Sequence, residues 1–334
     1  MNIFHNTACP SEIMQHTKTT CVCVAVTVFL LMILSSLCNA AEIIIVPSSH
    51  ASPYMRAQET LKKKLAAKGH TIKTAPLAEM ADSLDTITTK DTKAFVAIGS
   101  KAANWLHKRI EPPIILTCCL VSTLKNIGPD GNHPVSGISI DVPLKLQFEL
   151  IAEALPKARS IGMLYHTGSE QHQEKDQENP FVKKIMHNLP KGWRLEAVAI
   201  DKHKTVANAI KELFNRDVDV VWTFSDAKVF NKATIRSLLL TAIRKHIPVF
   251  GCSLGFVKAG SLFGISINPQ TQGTQVAELT HHLLTSKDKT ITEKMKIPKY
   301  EIALNSIVAE QLSIKFPPKL VTRAKHIIKP KQGK

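Results

Sequence analysis

Residues 93–119 read KAFVAIGSKAANWLHKRIEPPIILTCC, and residues 219–253 repeat the plan. In the first stretch an apolar run over 94–98 ends in Gly99-Ser100. A helical run follows, and a second apolar run over 114–116 ends in Thr117-Cys118-Cys119. In the second stretch DVVWTF ends in Ser225-Asp226, a helical run follows, and IPVFG ends in Cys252-Ser253. Short continuous apolar runs separated by helices are the mark of parallel strands buried on both faces. Open parallel sheets bind ligands outside the carboxyl ends of their strands. Here those ends carry small polar residues. Two such units in one chain predict two lobes with a cleft between them.

The remainder of the chain extends this pattern. Strands are predicted over 42–47, 70–74, 135–140, 160–165, 194–200 and 261–267, with helices over 54–68, 144–155, 205–215 and from Pro180. The segment 76–90 reads as helix or loop, and 168–179 as a polar loop. A helix over 270–285 is expected to return to the first lobe. An extended segment over 296–304, a short helix over 306–311 and a final helix over 317–328 complete the chain. Gly-Ile-Ser-Ile recurs at 137–140 and 264–267, at the same place in each half. Regular βα alternation implies parallel sheets with right-handed crossovers. The fold class is therefore α/β, with two Rossmann-like lobes.

Composition and the amino terminus bear on compartment. The 334 residues carry a formal charge of +16. The lysines and arginines are scattered over helices rather than interleaved with aromatics, the pattern of a solvated surface; no nucleic-acid partner is expected. Residues 22–34 are apolar and precede Cys38-Asn39-Ala40-Ala41, which matches a secretory signal cleaved after Ala40. The alternative is an uncleaved anchor. Cleavage leaves Cys118, Cys119 and Cys252, an odd set with no disulfide framework. They read as small buried hydrophobes; the alternatives are a single bridge from Cys118 or Cys119 to Cys252, and a soft-metal site of Cys118 and Cys252 with His50 or His166. No cofactor is expected. There is no G-x-S-x-G, P-loop or G-x-G-x-x-G, and Asp217 and Asp219 read as strand-entry residues rather than an acid pair. Nothing points to an enzyme.

Several segments resemble a known family. They are AIGSKAAN (97–104), PPIILT (112–117), SGISIDVPLKLQFELIAEALPKARSIGMLY (136–165), KHIPVFG (245–251), FVKAGSL (256–262) and YEIALNSIVAEQLSIKFPPKLVTRAKHII (300–328). Together they resemble the substrate-binding proteins of ABC transporters, the group that includes tryptophan- and tyrosine-binding members. The resemblance implies a type I periplasmic-binding-protein fold with three crossovers, near 140–143, 267–270 and 298–300. It also implies a periplasmic monomer that closes over a small solute and docks on an inner-membrane permease and its ATPase. A sensor subunit of a membrane signalling system is the alternative. The implied division is a signal over 1–40, a first lobe of 41–141 plus 268–298, a second lobe of 142–267 plus 299–328, and a basic tail over 329–334.

The expected ligand-binding residues lie at strand carboxyl ends: Ser48, Ser49, Ser100 and Thr117 in the first lobe, and Thr167, Ser225, Asp226 and Ser253 in the second, with His166 beside them. Such loops offer hydroxyls and free backbone amides. Ser100 occupies the Thr/Ser position of the family's AIG[T/S] motif and is expected to take an anion. Asp226 occupies the family's acidic position and is expected to take an ammonium or hydroxyl. The competing role for each is a helix cap. The chain departs from the family twice. Leu120-Val121-Ser122 stands where a Thr-Asp-Pro is common, and Cys252-Ser253 where an acid is common. The expected solute is small and polar or amphipathic, amino-acid-like or anionic; both departures remove negative charge, which weighs against a zwitterion with a free ammonium and toward an uncharged or anionic ligand.

Overall fold

The computed structural model describes residues 41–80, 84–85, 87–122, 134–168, 179–286 and 294–330. The expected signal, most of the 168–179 loop and the end of the basic tail lie outside them.

The first part of the chain runs β1 (Glu42–Pro47), α1 (Ser52–Ala66), β2 (Thr71–Thr74), β3 (Thr92–Ile98), α2 (Ser100–His107), β4 (Ile115–Val121) and β5 (Val135–Ser139). It continues with α3 (Leu144–Ala154), β6 (Ser160–Tyr165), α4 (Pro180–Asn188), β7 (Arg194–Ala199), α5 (Val206–Asn215) and β8 (Val220–Trp222). Next come α6 (Lys232–Arg244), β9 (Val249–Gly251), α7 (Leu254–Ala259), β10 (Phe263–Ser266) and α8 (Pro269–Thr285). The last elements are β11 (Lys294–Lys296), β12 (Glu301–Asn305), α9 (Ser306–Gln311), α10 (Pro318–Arg323) and β13 (His326–Ile328). They form two sheets, ordered β11-β5-β4-β3-β1-β2 and β13-β12-β10-β9-β8-β6-β7. The chain passes between the sheets three times: after β5, after β10 and after β11.

Burial on both faces explains the unbroken apolar strands. In the first sheet Ile43, Ile45 and Val96 point into a core shared with Leu61 and Leu65 of α1 and Val276 of α8. Their neighbours Ile44, Val46, Phe95 and Ala97 point the other way, onto Leu106 of α2. The second lobe buries Trp222, Phe148, Phe250 and Phe263 around its sheet. Although α8 follows β10 of the second sheet, it lies on the first. A Cβ added at Gly273 would stand 2.7 Å from the Ala57 carbonyl oxygen, so α8 and α1 touch backbone to backbone. A glycine is what permits that approach.

The structure corrects two expectations and refines two more. The fourth strand runs to Val121, well beyond residue 116. The final segment is not one helix: α10 ends at Arg323, Ala324 is extended, and His326–Ile328 pairs with β12. Pro317 and Pro318 start that helix, while the β-branched Ile327-Ile328 favour a strand. The extended segment 296–304 resolves into the end of β11, a crossover and β12, and β12 runs antiparallel to β10. β11 itself was not anticipated, because a Lys-Met-Lys edge strand carries no apolar run. The segment 76–90 holds a single turn of 3-10 helix, Leu77–Glu79.

The bottom of the first sheet holds two titratable clusters. Glu42 is nearly buried, with its carboxylate 2.6 Å from Lys73 Nζ and receiving the Thr92 and Thr89 hydroxyls at 2.6 and 2.9 Å. The Lys73 bond, then Thr92, lower its pKa from the ordinary 4.5 to about 2. Beside it, His70 Nδ1 accepts the Ala41 amide at 3.4 Å, which leaves Nε2 to donate to His281 Nδ1 at 2.9 Å. Burial, then the neighbouring His281, lowers the His70 pKa. Both clusters bind protons less readily folded than unfolded, so both contribute stability at neutral pH that is lost on acidification. Histidine acts first, below its ordinary value, and Glu42 between 4.5 and about 2. Denaturant titrations at stepwise lower pH are expected to show stability falling steeply through the carboxylate range. In Glu42→Gln that lower limb flattens. An unchanged acid limb in the variant would remove Glu42 from this role.

Candidate functional site

The first sheet ends its strands β1 and β3 side by side. Ser48 follows β1 and its amide donates to the Ile98 carbonyl at 2.9 Å. Its hydroxyl accepts the Ala102 amide of α2, also at 2.9 Å. Ser48 therefore caps a helix that follows a different strand, an interaction of about 1 kcal/mol. Gly99 occupies the N-cap position itself, with φ of +90°. A side chain there would meet Ser48 Oγ at 2.8 Å and the Tyr54 ring at 3.0 Å. Glycine is thus needed both for the backbone angle and for the space.

This arrangement settles the cap role of Ser100. It is the first residue of α2, not its cap, and its half-buried hydroxyl has no partner among the described residues. The Ser100 and Lys101 amides likewise find no acceptor among them. A helix amino terminus with unspent amides and a free hydroxyl is a site for an anion. Ser49 is exposed and its hydroxyl accepts the Ala51 amide at 3.3 Å.

Thr117 is elsewhere. Because β4 runs on to Val121, Thr117 lies inside the sheet, fully buried, with its hydroxyl 2.8 Å from Thr280 Oγ1 on α8. It is part of the packing between sheet and helix and not of the strand end. The cysteines follow the same logic. Cys118 faces the α2 core and Cys119 the α1/α8 core, on opposite faces of the sheet. A Cβ at Gly137 would stand 2.3 Å from Cys118 Sγ, so a glycine on β5 makes room for that thiol. All three thiols are free. No group of three or more metal-ligating side chains occurs among the described residues.

In the second lobe Thr167, just past β6, donates its amide to Asp201 Oδ1 at 3.0 Å and its hydroxyl to Asp201 Oδ2. Burial alone would raise the Asp201 pKa, but these two bonds outweigh it and hold the carboxyl below its usual range. His166 Nδ1 accepts the Gly168 amide at 2.9 Å. Ser225 is exposed beyond β8. Ser253 caps α7, accepting the Phe256 amide at 3.3 Å. Its neighbour Cys252 donates its amide to Thr223 Oγ1 at 3.1 Å.

Asp226 divides its carboxylate. Oδ1 accepts the Lys228 amide at 2.8 Å in a local turn, and the helix cap weighed against ligand binding does not occur, since Asn231 caps the next helix. Oδ2 is buried and has no hydrogen-bond partner among the described residues. A buried carboxylate oxygen without a donor is costly, so Oδ2 is the acceptor this lobe leaves open. The neighbouring rings belong to the second lobe's core. Trp222 and Phe224 stack with centroids 5.1 Å apart, Phe181 lies 5.0 Å from Phe224, and Phe230 meets Phe224 edge-on at 5.5 Å.

Two cavities, of about 520 and 330 Å3, lie away from these residues. One is against Leu239, Leu240 and Ile243 of α6, the other between Gln275 of α8 and Lys299. Neither is lined by a strand-end candidate. Sequence reasoning missed Asp201, the Ser48 cap and the glutamines Gln147 and Gln272. Their partners lie far off along the chain, and only a glutamine on an otherwise apolar helix stripe marked Gln272.

Two α/β sheets joined three times, each ending its strands in hydroxyls, amides or a carboxylate, define a solute-binding protein of the type I periplasmic architecture. The sequence profile of one family, ABC transporter substrate binding protein, matches residues 44–328, and the chain belongs to that family. A curated relative, the tyrosine-binding protein of Clostridioides difficile (strain R20291), is 26% identical over 211 residues. That match takes in 60% of this chain and spans 57% of the relative's length. Among solved structures, the ligand-free, open form of a substrate-binding protein with adhesive properties from Clostridium difficile superposes with a TM-score of 0.66 at 17% identity, over 87% of this chain and all of that one. An ABC domain from Streptococcus pneumonia in complex with L-Trp gives 0.58, also at 17%, over 86% of this chain and all of the other. At these identities the structures establish the fold. No described helix is long and apolar enough to cross a membrane.

Burial raises the Cys252 pKa to about 11 and the Cys118 pKa to about 12, with Cys119 higher still. A thiolate reagent at neutral pH is therefore expected to label the folded chain from residue 41 onward slowly, and to label all three thiols at once on unfolding. Rapid labelling of Cys118 in the folded protein would contradict its placement.

Proposed function

We propose that this protein is the extracytoplasmic solute-binding component of an ABC transporter, released by cleavage after Ala40, and that it takes an amino-acid-like solute between its two lobes. The observation that carries this reading is a complementary pair of unspent groups. The first lobe offers an anion site in the Ser100 hydroxyl and the opening amides of α2. The second offers a bare carboxylate oxygen, Asp226 Oδ2. A zwitterion satisfies both: its carboxylate goes to Ser100 and α2, and its ammonium to Asp226. Ser48, Ser49, Ser225, Thr167 and Ser253 stand around those two points as secondary contacts. The acids missing at 120–122 and 252–253 leave Asp226 as the principal acceptor at the strand ends.

Two of the proteins this chain resembles favour an aromatic amino acid, one being a tyrosine-binding protein and the other a structure in complex with L-Trp. Hinge closure over the solute then presents a single surface to a membrane permease and its ATPase. The protein acts as a monomer in this scheme, and it binds without chemistry.

Thermal unfolding with a ligand panel tests the proposal. A ligand at 100 times its Kd adds about 2.7 kcal/mol of stability. Tyrosine, tryptophan or a related zwitterion is expected to raise the unfolding temperature, and the matching amine or carboxylic acid alone to do so far less. Asp226→Asn and Ser100→Ala are each expected to weaken the confirmed ligand by tenfold or more, about 1.4 kcal/mol. Stabilisation by the bare acid as strong as by the amino acid, or undiminished binding in Asp226→Asn, would contradict the assignment.

A further inference from the structure

All three crossovers are held by side chains of one helix. Asn268, Gln272 and Gln275 sit at i, i+4 and i+7 on the opening turns of α8, a spacing that places them on one face. Gln272 is buried. Its Oε1 accepts the Leu120 amide at 2.8 Å and its Nε2 donates to the Ser139 carbonyl at 2.7 Å, immediately before the first crossover. Asn268 lies in the second crossover. Its Oδ1 caps α8 through the Gln270 and Thr271 amides, and its Nδ2 donates to Glu301 Oε1 at 3.4 Å. Glu301 opens β12 directly after the third crossover. Gln275 Oε1 accepts the Lys299 amide, inside that third crossover, at 3.0 Å.

The first crossover is also gripped from the second lobe. Gln147 of α3 donates Nε2 to the Val142 carbonyl at 2.7 Å and accepts the Trp222 indole N–H at 2.9 Å. On the other side, the Ile140 amide donates to the Val121 carbonyl at 3.0 Å and the Asp141 amide to Ser139 Oγ at 2.9 Å. Everything up to the Asp141 amide is thus tied to the first sheet, and everything from the Val142 carbonyl to the second lobe. Pro143 fixes its own φ and restricts Val142 to extended backbone. The freedom left to this crossover is concentrated at Asp141.

We infer that the amide stripe Asn268–Gln272–Gln275 is the hub of the hinge, joining the three crossovers so that they bend as one unit about Asp141. The inference takes lobe closure from the function proposed above, and adds the residues that set where the open and closed states lie. They are positioning residues. Gln272 ties the end of β4 to the hinge, and Gln147 ties β8, which leads to Asp226, to the same crossover.

The chemistry of each amide makes the test specific. Gln275 uses only its acceptor, so Gln275→Glu keeps the bond and Gln275→Leu loses it. Gln272 uses donor and acceptor together, so Gln272→Glu loses the bond to Ser139. Spin labels on Lys63→Cys in α1 and Lys211→Cys in α5, in a Cys252→Ser background, report the distance between lobes in the ligand-free protein. Gln275→Leu and Gln272→Glu are expected to shift or broaden that distance distribution, while Gln275→Glu keeps the parent distribution. If Gln272→Glu fails to fold, the Gln275 pair decides. The inference is overturned if Gln275→Leu keeps the parent distribution, even with a lowered unfolding temperature, or if Gln275→Glu shifts it equally. Because no solute is present, failure of the amino-acid assignment would leave this measurement untouched.

Discussion

The structure depends on α8 lying against the wrong sheet. It emerges from β10 of the second lobe and crosses to pack on α1 and β4 of the first, with Gly273 against the Ala57 backbone and Thr280 against Thr117. Once that contact forms, the chain must cross between the lobes before it and again after it. The second and third crossovers follow from it directly. The first then lies alongside, within reach of Gln272. Burying an apolar helix stripe is the dominant favourable term in such packing, and here it also fixes the connectivity.

Function is distributed on the same principle. Each sheet is buried on both faces, so the strand ends are where polar groups are left over. The first lobe spends Ser48 on capping α2 and leaves Ser100 and the opening amides unspent. The second spends Asp226 Oδ1 on a turn and leaves Oδ2 unspent. In the proposed reading, neither lobe alone offers partners for both charges of an amino acid. A solute that bridges them favours the closed arrangement by its differential affinity. A hinge whose three strands are pinned by one helix face suits that exchange.

Much of this was legible in the residues. Unbroken runs such as EIIIVP and SIGMLY, alternating with helices, were enough for two α/β lobes, while the three crossovers came only with the family resemblance. Ser100 and Asp226 became candidates from their places after β3 and β8 together with the family's motif positions, and the structure leaves a polar group unspent at each. What failed had physical causes. Thr117 looked like a strand end because the apolar run was closed at residue 116, whereas Cys118 and Cys119 are small enough to continue a buried strand. β11 and β13 are three-residue edge strands that carry or are flanked by lysines, so periodicity does not announce them. The bonds of Gln272, Ser48 and Asp201 join residues far apart in the chain, and no local pattern encodes them.

The most direct test of the account is a crystal structure of the mature protein grown with L-tyrosine. The account predicts a closed form with the ligand carboxylate on Ser100 and the first amides of α2, and the ammonium on Asp226 Oδ2. A ligand bound in the reverse sense, or outside the strand ends of both sheets, would contradict it.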